Sequence, residues 1–188
     1  MFYLIVVFIS MALIIGGNCL FAAEFTLATL GESALAVVIA TAAIFAEDAI
    51  SALAIRRLTP EKWYLPERKI FKVSKSERNF YNKLKIKAWK DYVPELGGFT
   101  SFHKDKLESR SNGDYLKRFL IESNYGVVIH LANALLGFVI LFIPFCSSPA
   151  IWIPVFAVNF ILSLLPVFIL RHTSYTLLRL YRRSINKD

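Results

Sequence analysis

Two stretches of this chain contain no lysine or arginine: the first 55 residues, and the run from Phe119 to Leu170. Both are predominantly apolar. Each is long enough for two helical crossings of a bilayer, one crossing taking about 20 residues at ~1.5 Å apiece. Of the 22 Lys and Arg, 17 lie between Arg56 and Arg118 and 5 between Arg171 and Lys187. A basic patch also marks nucleic-acid binders. Here the patches abut apolar runs of bilayer length, which is the pattern of positively charged cytoplasmic loops. Nucleic acid is therefore not the expected partner; membrane lipid is.

With 56% hydrophobic residues in a chain of 188, the apolar surface exceeds what a soluble domain of this size can hide. The expected class is an all-α integral membrane protein. It has four transmembrane helices and a basic cytoplasmic segment between the second and third. Residues 1–57 form a transmembrane hairpin with spans at about 2–23 and 30–55. Residues 58–118 are the cytoplasmic or interfacial segment. Residues 119–170 form a second hairpin with spans at about 119–145 and 151–170, and 171–188 is a basic tail. Both termini are then cytoplasmic. The first span lacks the basic start of a signal peptide and is too long for its apolar core. Cys19 and Cys146 fall near the outer span ends; no metal-ligand spacing occurs, and a disulfide between them is not expected.

Polar residues inside the spans are the candidates for chemistry. Glu47 and Asp48 lie roughly 12–13 Å inward from Arg56 along the second span. Carboxyls at that depth are costly and face a bundle interior, a cavity or a partner; packing and function are equally good readings of them. The third span carries Glu122, Gly126, His130, Asn133 and Gly137 at helical spacing, so all five share one face. A lone histidine on a helix is commonly a structural hydrogen-bonder, whereas this one shares its face with a carboxylate and an amide. On the fourth span Asn159 and Ser163 stand one turn apart.

Between the hairpins, Pro60, Pro66 and Pro94 break any long helix. Ser76–Ala88 reads as one short interfacial helix. Around it, Phe80, Tyr81, Leu84, Ile86 and Trp89 interleave with Lys83, Lys85, Lys87 and Lys90, a mixture suited to the headgroup region. Pro94–Gly98 reads as a turn and Ser109–Asp114 as a loop. No nucleophile elbow, phosphate loop or zinc pair is present.

The order of short motifs resembles one family. Pro60-Glu61-Lys62-Trp63 comes first, then Ile70-Phe71-Lys72, then Glu77 with Phe80-Tyr81-Asn82-Lys83. Lys87-Ala88-Trp89-Lys90-Asp91 follows, with Pro94 and Gly97 after it; Glu122, His130, Asn159, Pro166 and Arg171 complete the set. The sequence is similar over Leu58–Arg183 to the glycosyl-4,4'-diaponeurosporenoate acyltransferases, bacterial membrane enzymes of staphyloxanthin-type carotenoid synthesis. It departs from them at Tyr125 and Val127, where the family has Arg and Glu, and at Leu170–Ser174, where the family's closing basic run is reduced.

The resemblance implies an acyltransferase of the bacterial cell membrane. It would move a fatty acyl group onto a hydroxyl of a glycosylated lipid, a carotenoid glycoside or related glycolipid. No bound cofactor or metal is implied; acyl-CoA or a similar donor is the co-substrate, and a lipid-linked sugar the acceptor. On this reading His130 is the general base, with Glu122 or a carboxylate of the second span orienting it. Asp91 is the alternative catalytic residue. Trp89, Lys90 and Lys87 would hold the donor, although interfacial anchoring explains them equally well. Glu47, Asp48, Asn133, Asn159 and Arg171 complete the substrate-binding set. Two other classes stay open: a non-catalytic scaffold whose polar residues are packing glue, and a small carrier, built as a homo-oligomer, with Glu47 and Asp48 on an ion path.

The charge distribution makes a direct prediction about topology. A cysteine placed at Ser148 should react in intact cells with a thiol probe that cannot cross the membrane. One placed at Ser111 should not, and the reverse pattern would overturn the orientation.

Overall fold

The computed structural model describes residues 2–22, 26–93 and 112–186. All regular structure in them is helical. Helix α1 spans Phe2–Leu20, α2 Leu27–Leu58, α3 Lys75–Lys83, α4 Ile86–Trp89, α5 Gly113–Leu136 and α6 Pro149–Ile185, with short 3-10 helices at Glu61–Trp63, Lys69–Phe71, Lys90–Tyr92, Gly137–Phe142 and Pro144–Cys146. Four stretches are long and apolar enough to cross a membrane: Tyr3–Leu20, Leu27–Leu58, Gly113–Phe142 and Pro149–Ile185. The turn expected at Pro94–Gly98 and the first half of the Ser109–Asp114 loop lie outside the described residues; Gly113 and Asp114, expected in that loop, instead begin α5.

The helices are not coextensive with the spans that charge delimits. Helix α6 continues past Arg171 to Ile185 and, at ~1.5 Å per residue, is roughly 55 Å long against a hydrocarbon core of about 30 Å. Arginine ends a span because it needs water, but it is a good helix former and does not end a helix. The reverse happens in α5, whose α-helical part stops at Leu136. Gly137–Phe142 tightens to a 3-10 helix, and Ile143 is extended with φ −95° and ψ 107°. Glycine weakens the helix at 137, and Pro144 forces the residue before it out of the helical region.

The chain divides into two compact units. The first comprises 1–53 and 131–164. Its core sets Ala36, Val37, Ala40 and Ile44 of α2 against Ile140, Cys146, Ile151 and Val155. The α2 positions repeat at helical spacing and include two alanines, which let backbones approach closely, as in lipid-embedded helix pairs. The opposite faces carry exposed Leu4, Phe8, Leu13, Val38, Phe45 and Ile161, the surface expected where lipid is the solvent. Cys19 and Cys146 are free thiols, both buried.

The second unit comprises 54–130 and 165–188. Its apolar contacts form two groups, one around Leu116, Phe119, Leu120, Leu177 and Tyr181, the other around Tyr64, Phe71, Ile121 and Tyr125. Helix α3 is capped by Ser74, whose hydroxyl accepts the Glu77 backbone N–H at 3.0 Å. The single helix expected over Ser76–Ala88 is instead two. Lys85 adopts the left-handed conformation at φ 50°, separating α3 from α4. That costs a non-glycine residue about 1 kcal/mol, and the bend buries Ile86 to 1% exposure.

A tight approach in the first unit gives a stability prediction. A Cβ on Gly137 would collide with the Asn159 amide nitrogen, which donates 3.0 Å to the Asn133 carbonyl. Gly137→Ala should therefore break that bond and lower stability by about 1–3 kcal/mol. Thermal unfolding in detergent, beside Phe138→Ala as a control on an exposed neighbour, measures it; an unchanged midpoint would show that the helices adjust.

Candidate functional site

The second unit holds a buried carboxylate clamped by two arginines. Glu122 of α5 is 1% exposed. Arg56, in the last turn of α2, donates from Nη2 to Glu122 Oε2 at 2.9 Å, and Arg118 donates from Nη2 to Oε1 at 2.7 Å. Arg118 also reaches Glu61 Oε2 at 3.1 Å. The Arg56 guanidinium lies over the Tyr125 ring, 5.3 Å from its centroid, and Tyr125 stacks on Tyr64 with centroids 3.7 Å apart. Next in the helix, the Asn124 amide donates to the Tyr64 carbonyl at 2.8 Å. The end of α2, the 60–71 segment and the start of α5 are thus tied by charge-assisted bonds, the strong kind when withdrawn from water.

A second clamp fixes α3 to α6. Arg171 donates from Nε to Glu77 Oε1 and from Nη2 to Oε2, both at 2.8 Å, and from Nη1 to the Ile70 carbonyl at 3.0 Å. Tyr81 donates its hydroxyl to the same Glu77 Oε1 at 2.6 Å. Burial by itself would raise the Glu77 pKa; the Arg171 and Tyr81 hydrogen bonds and the Arg171 charge outweigh it and hold the carboxyl below its ordinary value. Burial, together with that hydrogen bond to Glu77, pushes the Tyr81 phenol up to about 12.

The remaining candidates of this unit differ in setting. His130 is half-buried, at the last position of its segment of α5. Trp89 is half-buried and donates its indole N–H to the Leu84 carbonyl at 2.9 Å, which closes the α3–α4 bend. Lys87 is exposed. Asp91 is exposed and pairs with Lys90 at 3.2 Å. Two residues that motif reading passed over also belong here. Arg78 donates to the Tyr175 hydroxyl at 3.1 Å. His172 is half-buried on α6; burial first, and then the charges of Lys87, Lys90 and Arg78, hold its imidazole below the ordinary pKa. Arg78 stands in none of the motifs, and His172 falls within Leu170–Ser174, where the closing run is reduced; the contact of Arg78 with Tyr175 depends on the docking of α3 onto α6.

The first unit holds a ladder of neutral polar groups. Ser51 of α2 donates to the Asn133 side-chain oxygen, Asn159 donates to the Asn133 carbonyl, and Ser163 donates to the Asn159 side-chain oxygen at 3.4 Å. Asn133, Asn159 and Ser163 are all buried, and their satisfaction by one another makes them packing contacts between helices. Glu47 and Asp48 are different. Both Glu47 oxygens and Asp48 Oδ1 are buried with no hydrogen-bond partner among the described residues. Among those residues no cluster of His, Cys, Asp and Glu could hold a metal ion.

The sequence matches the family of glycosyl-4,4'-diaponeurosporenoate acyltransferases over residues 60–183. No curated protein and no solved structure matches it.

The Glu77 clamp predicts an acid limb in stability. A carboxylate whose folded pKa is depressed stabilises the fold above its unfolded pKa and ceases to do so as pH falls through the folded value. The loss should therefore fall below the ordinary Glu value of 4.5. Thermal midpoints should drop in that range for the native chain, and Glu77→Gln should flatten the drop while lowering the midpoint at neutral pH. An acid limb of unchanged size in Glu77→Gln would assign it to other groups.

Proposed function

Since the chain belongs to the glycosyl-4,4'-diaponeurosporenoate acyltransferase family and is an acyltransferase, we propose that it transfers a fatty acyl group from a coenzyme A thioester to a sugar hydroxyl of a glycosylated lipid, such as a carotenoid glycoside, within the membrane. The observation that carries this reading is the extent of the match. It takes in His130 together with both clamps, except for Arg56. Four apolar helices suit an acceptor that is itself dissolved in the bilayer. The basic segment and both termini face the cytoplasm on this reading, the side on which coenzyme A thioesters are made.

In the proposed reaction His130 accepts the proton of the sugar hydroxyl as its oxygen attacks the thioester carbonyl. The C–O ester bond forms, the C–S bond breaks, and the imidazolium returns the proton to the departing thiolate. Imidazole suits the task because its unperturbed pKa lies near neutrality. We divide the labour among the carboxylates as follows. Glu122 has both oxygens held by arginine, so its proposed part is to fix α5, on which His130 is carried. Asp91, exposed on the Lys90 turn, is the proposed base should His130 fail the test below. Lys87, Trp89 and Lys90 are assigned to the donor. Asn133 and Asn159 are assigned to holding the helices that line the acceptor's path.

His130→Asn and His130→Ala should both lose on the order of 100- to 10,000-fold in turnover while inserting and purifying at native yield. The measurement is acyl transfer to a glycolipid at matched protein concentration. Retention of more than about a tenth of native activity in His130→Asn, well outside that loss, would make the histidine a packing residue.

A further inference from the structure

The first unit holds an open cavity that the proposed acyl transfer does not use. Leu13 and Ile14 of α1, Phe21 just after it and Pro154 of α6 form its apolar wall. Asn18 of α1 and Glu32 and Ser33 of α2 supply its polar atoms. Its volume is about 670 Å³, within the range of pockets that take small organic ligands. The Asn18 side-chain amide donates to the Ile14 carbonyl at 2.8 Å and to the Ala150 carbonyl at 2.9 Å, which pins α1 to the start of α6. Both amide hydrogens are thereby spent, and the side-chain oxygen remains as an acceptor. Gly17 keeps the wall low: a Cβ there would meet no atom within 4 Å.

The charge of this unit decides what the cavity can take. Residues 1–53 and 131–164 carry four carboxyl side chains and no lysine or arginine. Glu32 is exposed, and none of the ion pairs among the described residues includes it. A head group of net negative charge would meet this carboxylate and find no cation to hold its phosphate. A primary ammonium is the complement. It brings a positive charge and three N–H donors to a carboxylate and an amide oxygen, and such charge-assisted bonds are the stronger kind. The apolar wall points to a lipid as the bearer of that ammonium. Leu13 lines the cavity and is also 71% exposed on the lipid-facing surface of α1, so the cavity is continuous with the surface along which acyl chains lie.

We propose that this cavity binds a membrane lipid with a primary ammonium head, such as phosphatidylethanolamine. The ammonium donates to Glu32 and to the Asn18 side-chain oxygen, and the chains run out past Leu13. The site goes beyond the acyl-transfer reading and shares no residue with it. The full-length protein is placed in phosphatidylcholine nanodiscs doped with equal amounts of phosphatidylethanolamine, phosphatidylglycerol and a glucosyl diacylglycerol. Native mass spectrometry then identifies the lipids that stay bound to the native chain, to Glu32→Gln and to Gly17→Leu.

The native chain should retain phosphatidylethanolamine roughly tenfold over phosphatidylglycerol, the order of one hydrogen bond to a charged group. It should also prefer it to phosphatidylcholine, whose quaternary ammonium has no N–H to donate. Glu32→Gln should abolish the preference; the side chain is exposed, so its loss does not endanger the fold. Gly17→Leu fills the cavity with a good helix former and should abolish retention at an unchanged thermal midpoint. Equal retention of all lipids by the native chain would overturn the site, as would a preference that survives Glu32→Gln. Preferential retention of phosphatidylglycerol would overturn the charge argument, and that of the glucosyl lipid would overturn the ammonium assignment. Lipid retention is read without turnover, so failure of His130 as base leaves this result standing on its own.

Discussion

The Glu122 carboxylate is almost fully withdrawn from solvent and is held from two sides by guanidinium groups. An ionised carboxylate cannot be buried alone; the cost of stripping its water has to be met by charge-assisted hydrogen bonds of good geometry. That requirement fixes where the end of α2 and the start of α5 lie, because Arg56 comes from one and Arg118 from the other. Glu61 extends the network to the segment that follows α2. The stacked rings of Tyr64 and Tyr125 close over it. Removing either arginine leaves the buried Glu122 carboxylate short of a partner, so the second unit is organised by this constraint as much as by its apolar contacts.

The first unit is built differently. Its buried polar groups are neutral amides and hydroxyls that satisfy one another in a short ladder from Ser51 through Asn133 to Asn159 and Ser163. Neutral pairs are the inexpensive way to give helices register where the surroundings are lipid. Against that background Glu47 and Asp48 stand out, since most of their oxygens are buried without a hydrogen-bond partner. Buried polar atoms of that kind are rare and are found where strain or function keeps them.

The same physics holds the second clamp of this unit. The Glu77–Arg171 clamp is a bidentate pair with both side chains largely buried, at 23% and 15% exposure. It satisfies the carboxylate and ties α3 to α6.

The sequence by itself determined the four apolar helices, the membrane class and the family. Each depends on local quantities: the length of an apolar run, the placement of lysine and arginine, the order of short motifs. It also placed Glu122, His130, Asn133 and Asn159 correctly on helices. It could not show that Glu122 belongs to Arg56 and Arg118, or that α6 runs on past Arg171, because ion pairing and helix length depend on what packs alongside. The bend at Lys85 carries no glycine or proline signal; burial of Ile86 and docking on α6 accompany a conformation that lysine disfavours. The pairing of Glu77 with Arg171, and of Arg78 with Tyr175, was decided by tertiary structure alone. Residues far apart in the chain share a neighbourhood only after α3 has docked on α6, and no local pattern records that event.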